Sequence, residues 1–177
     1  MDYVQTAVAT GATLIKPGML YDSAHHDVVT KIAAEAIPYF GLWVCFTADD
    51  TCELGDSETE VSSREGGIAL IDPVKATVGS GYAAGDAVPV LRRGRCGVKN
   101  EETISLGDAV YVRVTATDSE VKGALRSDSD GGDGFVPRGA AWFRGGAEDL
   151  AILELGLGAT GATGAAGPTG PTGPTGS

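Results

Sequence analysis

From Gly158 onward a glycine falls at every third position: Gly158, Gly161, Gly164, Gly167, Gly170, Gly173 and Gly176. In the last full triplets proline takes the second place, with Thr169, Thr172 and Thr175 in the third. This is the collagen pattern, and its reason is steric: where three extended chains wind about one axis, only a hydrogen side chain fits there. The repeat therefore asks for three copies of the chain. Six triplets lacking hydroxyproline form a weak triple helix alone, spanning on the order of 55 Å at about 3.1 Å per residue. A flexible Gly/Thr/Pro linker is the other state open to an isolated tail. A trimeric body upstream holds three tails at high effective concentration, so the expectation is a trimer whose body launches a stalk from residue 157.

The body reads as β structure. Short apolar stretches separated by Gly, Asp and Asn run from residue 40 to 156, the pattern of an all-β barrel or sandwich, jelly-roll or tulip-like. Expected strands are Phe40–Phe46, Gly67–Ile71, Ala87–Arg92, Arg95–Lys99, Ala109–Thr115, Ala140–Arg144 and Leu150–Leu155. Arg93-Gly94 looks like a hairpin turn between two of them. In 109–115 the alternation sends Val110, Val112 and Val114 to one side and Tyr111, Arg113 and Thr115 to the other. Gly85-Asp86 and Gly107-Asp108 each open a strand 22 residues apart, as a glycine–aspartate turn rather than a catalytic aspartate. Residues 1–39 form an N-terminal arm or a short helix over 24–36, with Val28, Val29, Ile32, Ala33 and Ala36 on one face. Ser23 is its candidate cap and Pro38 its stop.

Charge and cysteine content exclude several roles. With 13 basic and 24 acidic residues the net charge is −11, which repels phosphate backbones and argues against nucleic acid as a partner. No apolar run approaches a membrane span. Met1–Leu20 carries Asp2, Lys16 and Pro17 where a secretory leader needs an apolar core, so no leader is expected. Cys45, Cys52 and Cys96 are odd in number and fit no redox or zinc spacing, which predicts reduced thiols from a reducing cytoplasm.

Read in order, Lys16-Pro-Gly-Met-Leu-Tyr-Asp22, Glu35-Ala-Ile-Pro-Tyr-Phe-Gly41, Gly81-Tyr-Ala-Ala-Gly-Asp-Ala-Val-Pro-Val-Leu-Arg-Arg-Gly-Arg95, Gly107-Asp-Ala-Val-Tyr-Val-Arg113, Gly123-Ala-Leu-Arg126 and Ala140-Ala-Trp-Phe143 form a set. The set resembles the structural cement, or head decoration, proteins of tailed bacteriophages, over most of residues 10–155. The resemblance implies a compact β domain on the outer capsid surface of the virion, with the major capsid protein as partner and no catalytic residues or cofactor. The collagen-like tail departs from the basic decoration domain. It suggests a head fibre projecting outward, and a homotrimer with a further contact, to host surface or fibre, through the tail. Tyr39, Phe40, Trp43, Trp142 and Phe143 are candidates for core or interface anchors. Arg92, Arg93 and Arg95 are either a salt-dependent contact with an acidic shell or a solvated hairpin tip. A bacterial or spore surface protein displaying its domain on the same stalk is one rival reading, and a trimeric β enzyme is another.

The rest of the chain offers little chemistry. His25-His26-Asp27 offers adjacent histidines that diverge on a helix, with few ligands around them. Ser127–Gly134 sets three acids among glycines, yet it lacks the glycine position and distal glutamate of a calcium loop, so a mobile acidic turn is expected. Gly79–Gly85 has no following Lys-Ser/Thr and opens a strand, unlike a phosphate cradle. No nucleophile stands beside a base in a recognisable motif.

Overall fold

The computed structural model describes residues 15–156, apart from 23–24, 49, 78 and 118–119. The expected tail from 157 to 177 lies outside the described residues, as does Ser23. Alternating, β-branched segments build ten strands: β1 (Asp27–Ala33), β2 (Trp43–Ala48), β3 (Thr51–Glu53), β4 (Gly66–Ala69), β5 (Ala87–Val98), β6 (Tyr111–Arg113), β7 (Leu125–Arg126), β8 (Gly134–Phe135), β9 (Ala140–Arg144) and β10 (Ala151–Leu155). One short helix, α1 (Glu58–Ser63), buries Val61.

The strands β1, β3, β2, β4 and β5 pair in that order, and β5 pairs back onto β1, so the sheet closes into a barrel. Every pairing in the ring is antiparallel except β1 with β3, where Ile32 and Ala33 face Thr51 and Cys52. Closure leaves the ring without a free edge. Of the expected alternatives the barrel is the one formed. Five strands with a parallel pair are not the eight-stranded antiparallel jelly roll.

Two segments differ from expectation. The helix expected over 24–36 is strand β1. Val28, Thr30 and Ile32 alternate with Val29, Lys31 and Ala33, giving an outer face and a face toward the barrel. β-Branched residues favour that geometry, and pairing on both sides satisfies the backbone as fully as a helix does. The hairpin expected at Arg93-Gly94 is absent, because β5 runs through it as one twelve-residue strand. Its first half pairs with β1 and β4, and its second half pairs with β10.

Gly94 makes that continuity possible. Its φ is +121°, and a Cβ there would stand 2.9 Å from the His26 Cβ. Before the kink, odd-numbered Leu91 faces the outer core; after it, even-numbered Cys96 and Val98 do. The register against β1 slips at Arg92, since Asp27 faces Arg93 while Val28 faces Leu91, and such a bulge shifts the alternation by one residue.

Two apolar clusters result. Inside the barrel, Ala33, Val44, Cys52, Ala69, Val88 and Val90 pack with Phe40 and Tyr82 toward the ends. Small and β-branched residues suit so narrow a ring. Against one wall of the barrel, Trp43, Ile68 and Leu91 meet Val112 and Leu125 of the three-stranded sheet β7-β6-β8, with Trp142 and Leu153 of β9 and β10. The three cysteines are free and buried.

Candidate interaction surfaces

The β5–β10 ladder has two ends, and most of the residues singled out above lie at one or the other. At one end, Val98 faces Ala151; at the other, Gly94 faces Leu155.

Beside the first end lies a recess of about 280 Å³ lined by residues including Pro17, Tyr39, Phe40, Ile71, Lys99 and Asp149. Tyr39 is 40 % exposed, and the Lys99 ammonium stands 5.0 Å from its ring centroid. Asp149 takes a hydrogen bond from the same ammonium. The result is an apolar floor with one exposed aromatic and a neutralised charged pair at the rim, the composition of a protein-contact patch. Among the other expected anchors, Phe40 is buried edge-on against Tyr82, with 5.3 Å between centroids. Tyr82 in turn donates to the Leu70 carbonyl at 2.5 Å, and burial pushes its phenol well above the ordinary range. Trp43 and Trp142 are also core, the latter donating from Nε1 to the Ala109 carbonyl at 2.9 Å.

Beside the second end the three arginines separate. Arg95 is a structural residue: it pairs with Asp22 and Glu154, and its guanidinium stacks 3.8 Å from the Phe143 centroid. Phe143 also meets Tyr21, at 5.5 Å. Burial opposes the Arg95 charge, and the bonds to Glu154 and Asp22 outweigh it, holding its pKa above the usual value. Arg92 makes a loose pair with exposed Glu65 at 3.4 Å. Arg93 is exposed and, among the described residues, makes no ion pair. His25 lines the same small recess as Arg93 and Gly156. Both glycine–aspartate segments are turns: the Asp86 carboxylate accepts from the Ala83 N–H at 2.8 Å and Asp108 from Ser105 at 2.7 Å, with positive φ at Gly85 and Gly107. The aspartates close the turn backward along the chain.

The acidic loop after Arg126 is no loose turn. Arg113, on the strand face opposite Val110, Val112 and Val114, is 1 % exposed. Its Nε donates to Glu101 Oε2 at 2.7 Å and its Nη2 to Asp130 Oδ2 at 2.6 Å, while Nη1 pairs with Glu120 at 2.9 Å. Arg126 shares Glu101 Oε2 at 2.9 Å and holds Asp128 at 2.8 Å. The Arg126 bond keeps the Asp128 carboxyl below its ordinary range. Two of the loop's acids are therefore counter-ions of buried arginines, which leaves little of its charge for a cation. Strand alternation alone carried no signal for this network. Arg126 closes the Gly123-Ala-Leu-Arg126 segment, but nothing in its spacing marks Glu101 as the bridge.

No curated protein matches this sequence. Among solved structures, one chain of "The capsid of Myoviridae Phage XM1" superimposes with a TM-score of 0.67 at 18 % identity, covering 84 % of this chain and 94 % of that one. The barrel architecture is thus shared with a chain of that capsid structure. A second, from "The crystal structure of head fiber gp8.5 N base in bacteriophage phi29", reaches a TM-score of only 0.43 at 15 % identity, over 75 % of this chain and 95 % of that one; that likeness is too remote to build on. The model of one phage family, "Structural cement protein (E217 gp24/Pam3 gp6)", matches residues 4–156, which takes in the barrel, the three-stranded sheet and both ends of the β5–β10 ladder. The chain belongs to the structural cement protein family.

Proposed function

We propose that this protein is a capsid decoration protein of a tailed phage, binding the major capsid protein on the outer surface of the head as a homotrimer. The collagen-like tail projects away from the shell. The observation that carries the reading is the family match across 4–156, which spans the whole described fold and stops just before the glycine repeat.

The recess at Tyr39 is the surface we assign to the shell. It lies at the end of the β5–β10 ladder opposite Gly156, after which the tail begins. A domain that sends its tail outward meets the capsid with the other end. Tyr39 supplies the anchor, because a half-exposed aromatic over an apolar floor gains most from desolvation. Multivalent attachment through three copies then turns modest single contacts into stable cement. The bacterial or spore surface reading shares the stalk but gains nothing from the family match.

Cosedimentation with expanded, undecorated heads tests this. The intact chain pellets with heads, and deletion of residues 158–177 leaves that binding in place. Tyr39→Ala weakens it by about thirtyfold, the equivalent of roughly 2 kcal/mol for a buried aromatic anchor. Failure of the intact chain to bind heads overturns the assignment; unchanged binding by Tyr39→Ala moves the contact elsewhere on the barrel.

A further inference from the structure

We propose that the face around Gly156, with Arg93 at its centre, is the three-fold contact between copies of this chain. The inference rests on the trimeric reading above and adds where the axis runs.

The chain leaves the barrel with no slack. β10 is paired on both sides to its last residue, with Leu155 facing Gly94 on β5 and Ala140 on β9. The next residue is tied as well, its N–H donating to the Gly139 carbonyl at 2.9 Å. Gly156 has a φ of +78°, and a Cβ there would meet the Arg93 side chain at 2.7 Å. The Arg93 stem thus lies directly over the exit.

The first glycine of the repeat, Gly158, follows two residues later. Two residues span at most about 7 Å, and the glycines of a three-chain collagen helix crowd its axis. Each Gly156 therefore lies within about 10 Å of the three-fold, and the three copies of it within about 17 Å of one another. A domain of this size has a radius of gyration near 14 Å. With exits that close, the barrels touch around them.

The residues at that place suit such a contact. His25, Arg93, Gly94, Glu154 and Leu155 border a recess of about 170 Å³ with Gly156 itself. Arg93 is exposed without an ion pair among the described residues, whereas Arg92 and Arg95 each hold a carboxylate. Arginine is enriched at interfaces because its stem covers apolar surface while its planar head bonds a partner. In a chain of net charge −11 the acids to receive it are plentiful on a neighbouring copy.

The experiment places one spin label per chain, on Arg93→Cys or on Val74→Cys, in the full-length protein. Val74 is 75 % exposed and lies in the segment tied by Lys75 to Asp86, just before β5 starts, at the far end of that strand from Gly94. The native thiols are silent, since burial pushes Cys45 and Cys52 up to about 11 and Cys96 higher still. Light scattering gives the mass and dipolar spectroscopy the label separation in the same sample. The expected result is a trimer with labels at position 93 within about 35 Å of each other, allowing for the offset of position 93 from Gly156 and for the label arms, and labels at position 74 farther apart. A trimer that disperses only when position 93 is labelled supports the same face by obstruction. A trimer whose position-93 labels lie beyond that distance overturns the axis assignment and leaves the trimer standing. A monomer overturns both.

Discussion

Replacing Arg113 by methionine removes the centre of the buried charge network while keeping most of the side-chain volume. The guanidinium is 1 % exposed and meets three carboxylates, of which Glu101 is 12 % exposed, Glu120 35 % and Asp130 40 %. Taking one partner from a buried pair costs about 3–5 kcal/mol, because the remaining charge is left desolvated. Glu101 keeps Arg126 at 2.9 Å and the Val121 N–H at 3.1 Å, which argues for the lower end of that range. Glu120 and Asp130 reach solvent, so each adds less than about 1 kcal/mol. The expected loss is therefore about 3 kcal/mol. In urea, at about 2 kcal/mol per molar for a domain of this size, the midpoint falls by roughly 1.5 M, measured at fixed protein concentration. A loss under about 0.5 kcal/mol at pH 7 refutes the account.

Other expectations are simpler to state. The Asp86 carboxyl is held down by Lys75 and Asp128 by Arg126, so their contribution is complete above the unfolded carboxyl pKa of about 4 and is lost as pH falls below it; thermal melts from pH 7 to pH 3 read this as a falling midpoint. Gly94→Ala costs about 1–3 kcal/mol, because a side chain at that positive φ is strained and its Cβ crowds His26; a melt within a degree of wild type contradicts the kink as described. Arg92→Ala, at a loose and exposed pair, leaves stability unchanged to within about 0.5 kcal/mol by the same measurement.

The strands were legible where one face is buried and the other wet. Ala140–Arg144 falls where alternation puts it, and Val110, Val112 and Val114 share a buried side. The helix expected over 24–36 failed because β1 carries apolar residues on both faces: Val28 and Ile32 stay exposed while Val29 and Ala33 turn inward. A strand with apolar residues on both faces mimics the spacing of a helix. Arg93-Gly94 failed for a related reason, since a glycine beside a charged residue marks a bulge as readily as a turn. Alternation put Arg113 opposite the valines of its strand without saying what would cover it, and the long-range approach of Glu101 and Asp130 makes that face an interior. Among the anchors, residue type announced burial or contact without distinguishing them; Phe40 packs on Tyr82 in the barrel cluster while its neighbour Tyr39 stays exposed.

The phase shift at Arg92, followed by the positive φ of Gly94, ties the two ends of the domain together. Without it, β5 would turn Cys96 and Val98 away from the outer core that Leu91 already faces, and β10 would have no apolar wall to pair along. With it, one strand carries the barrel on its first half and the exit ladder on its second. Leu155 is fixed opposite the kink itself, so the backbone that leaves at Gly156 inherits its direction from the barrel. Pulling on the proposed stalk would load the sheet through the hydrogen-bonded β10 ladder. Force on the tail should accordingly unfold the β10 pairing before the closed ring, because β10 lies outside the closed ring and β1 and β5 are held within it on both sides.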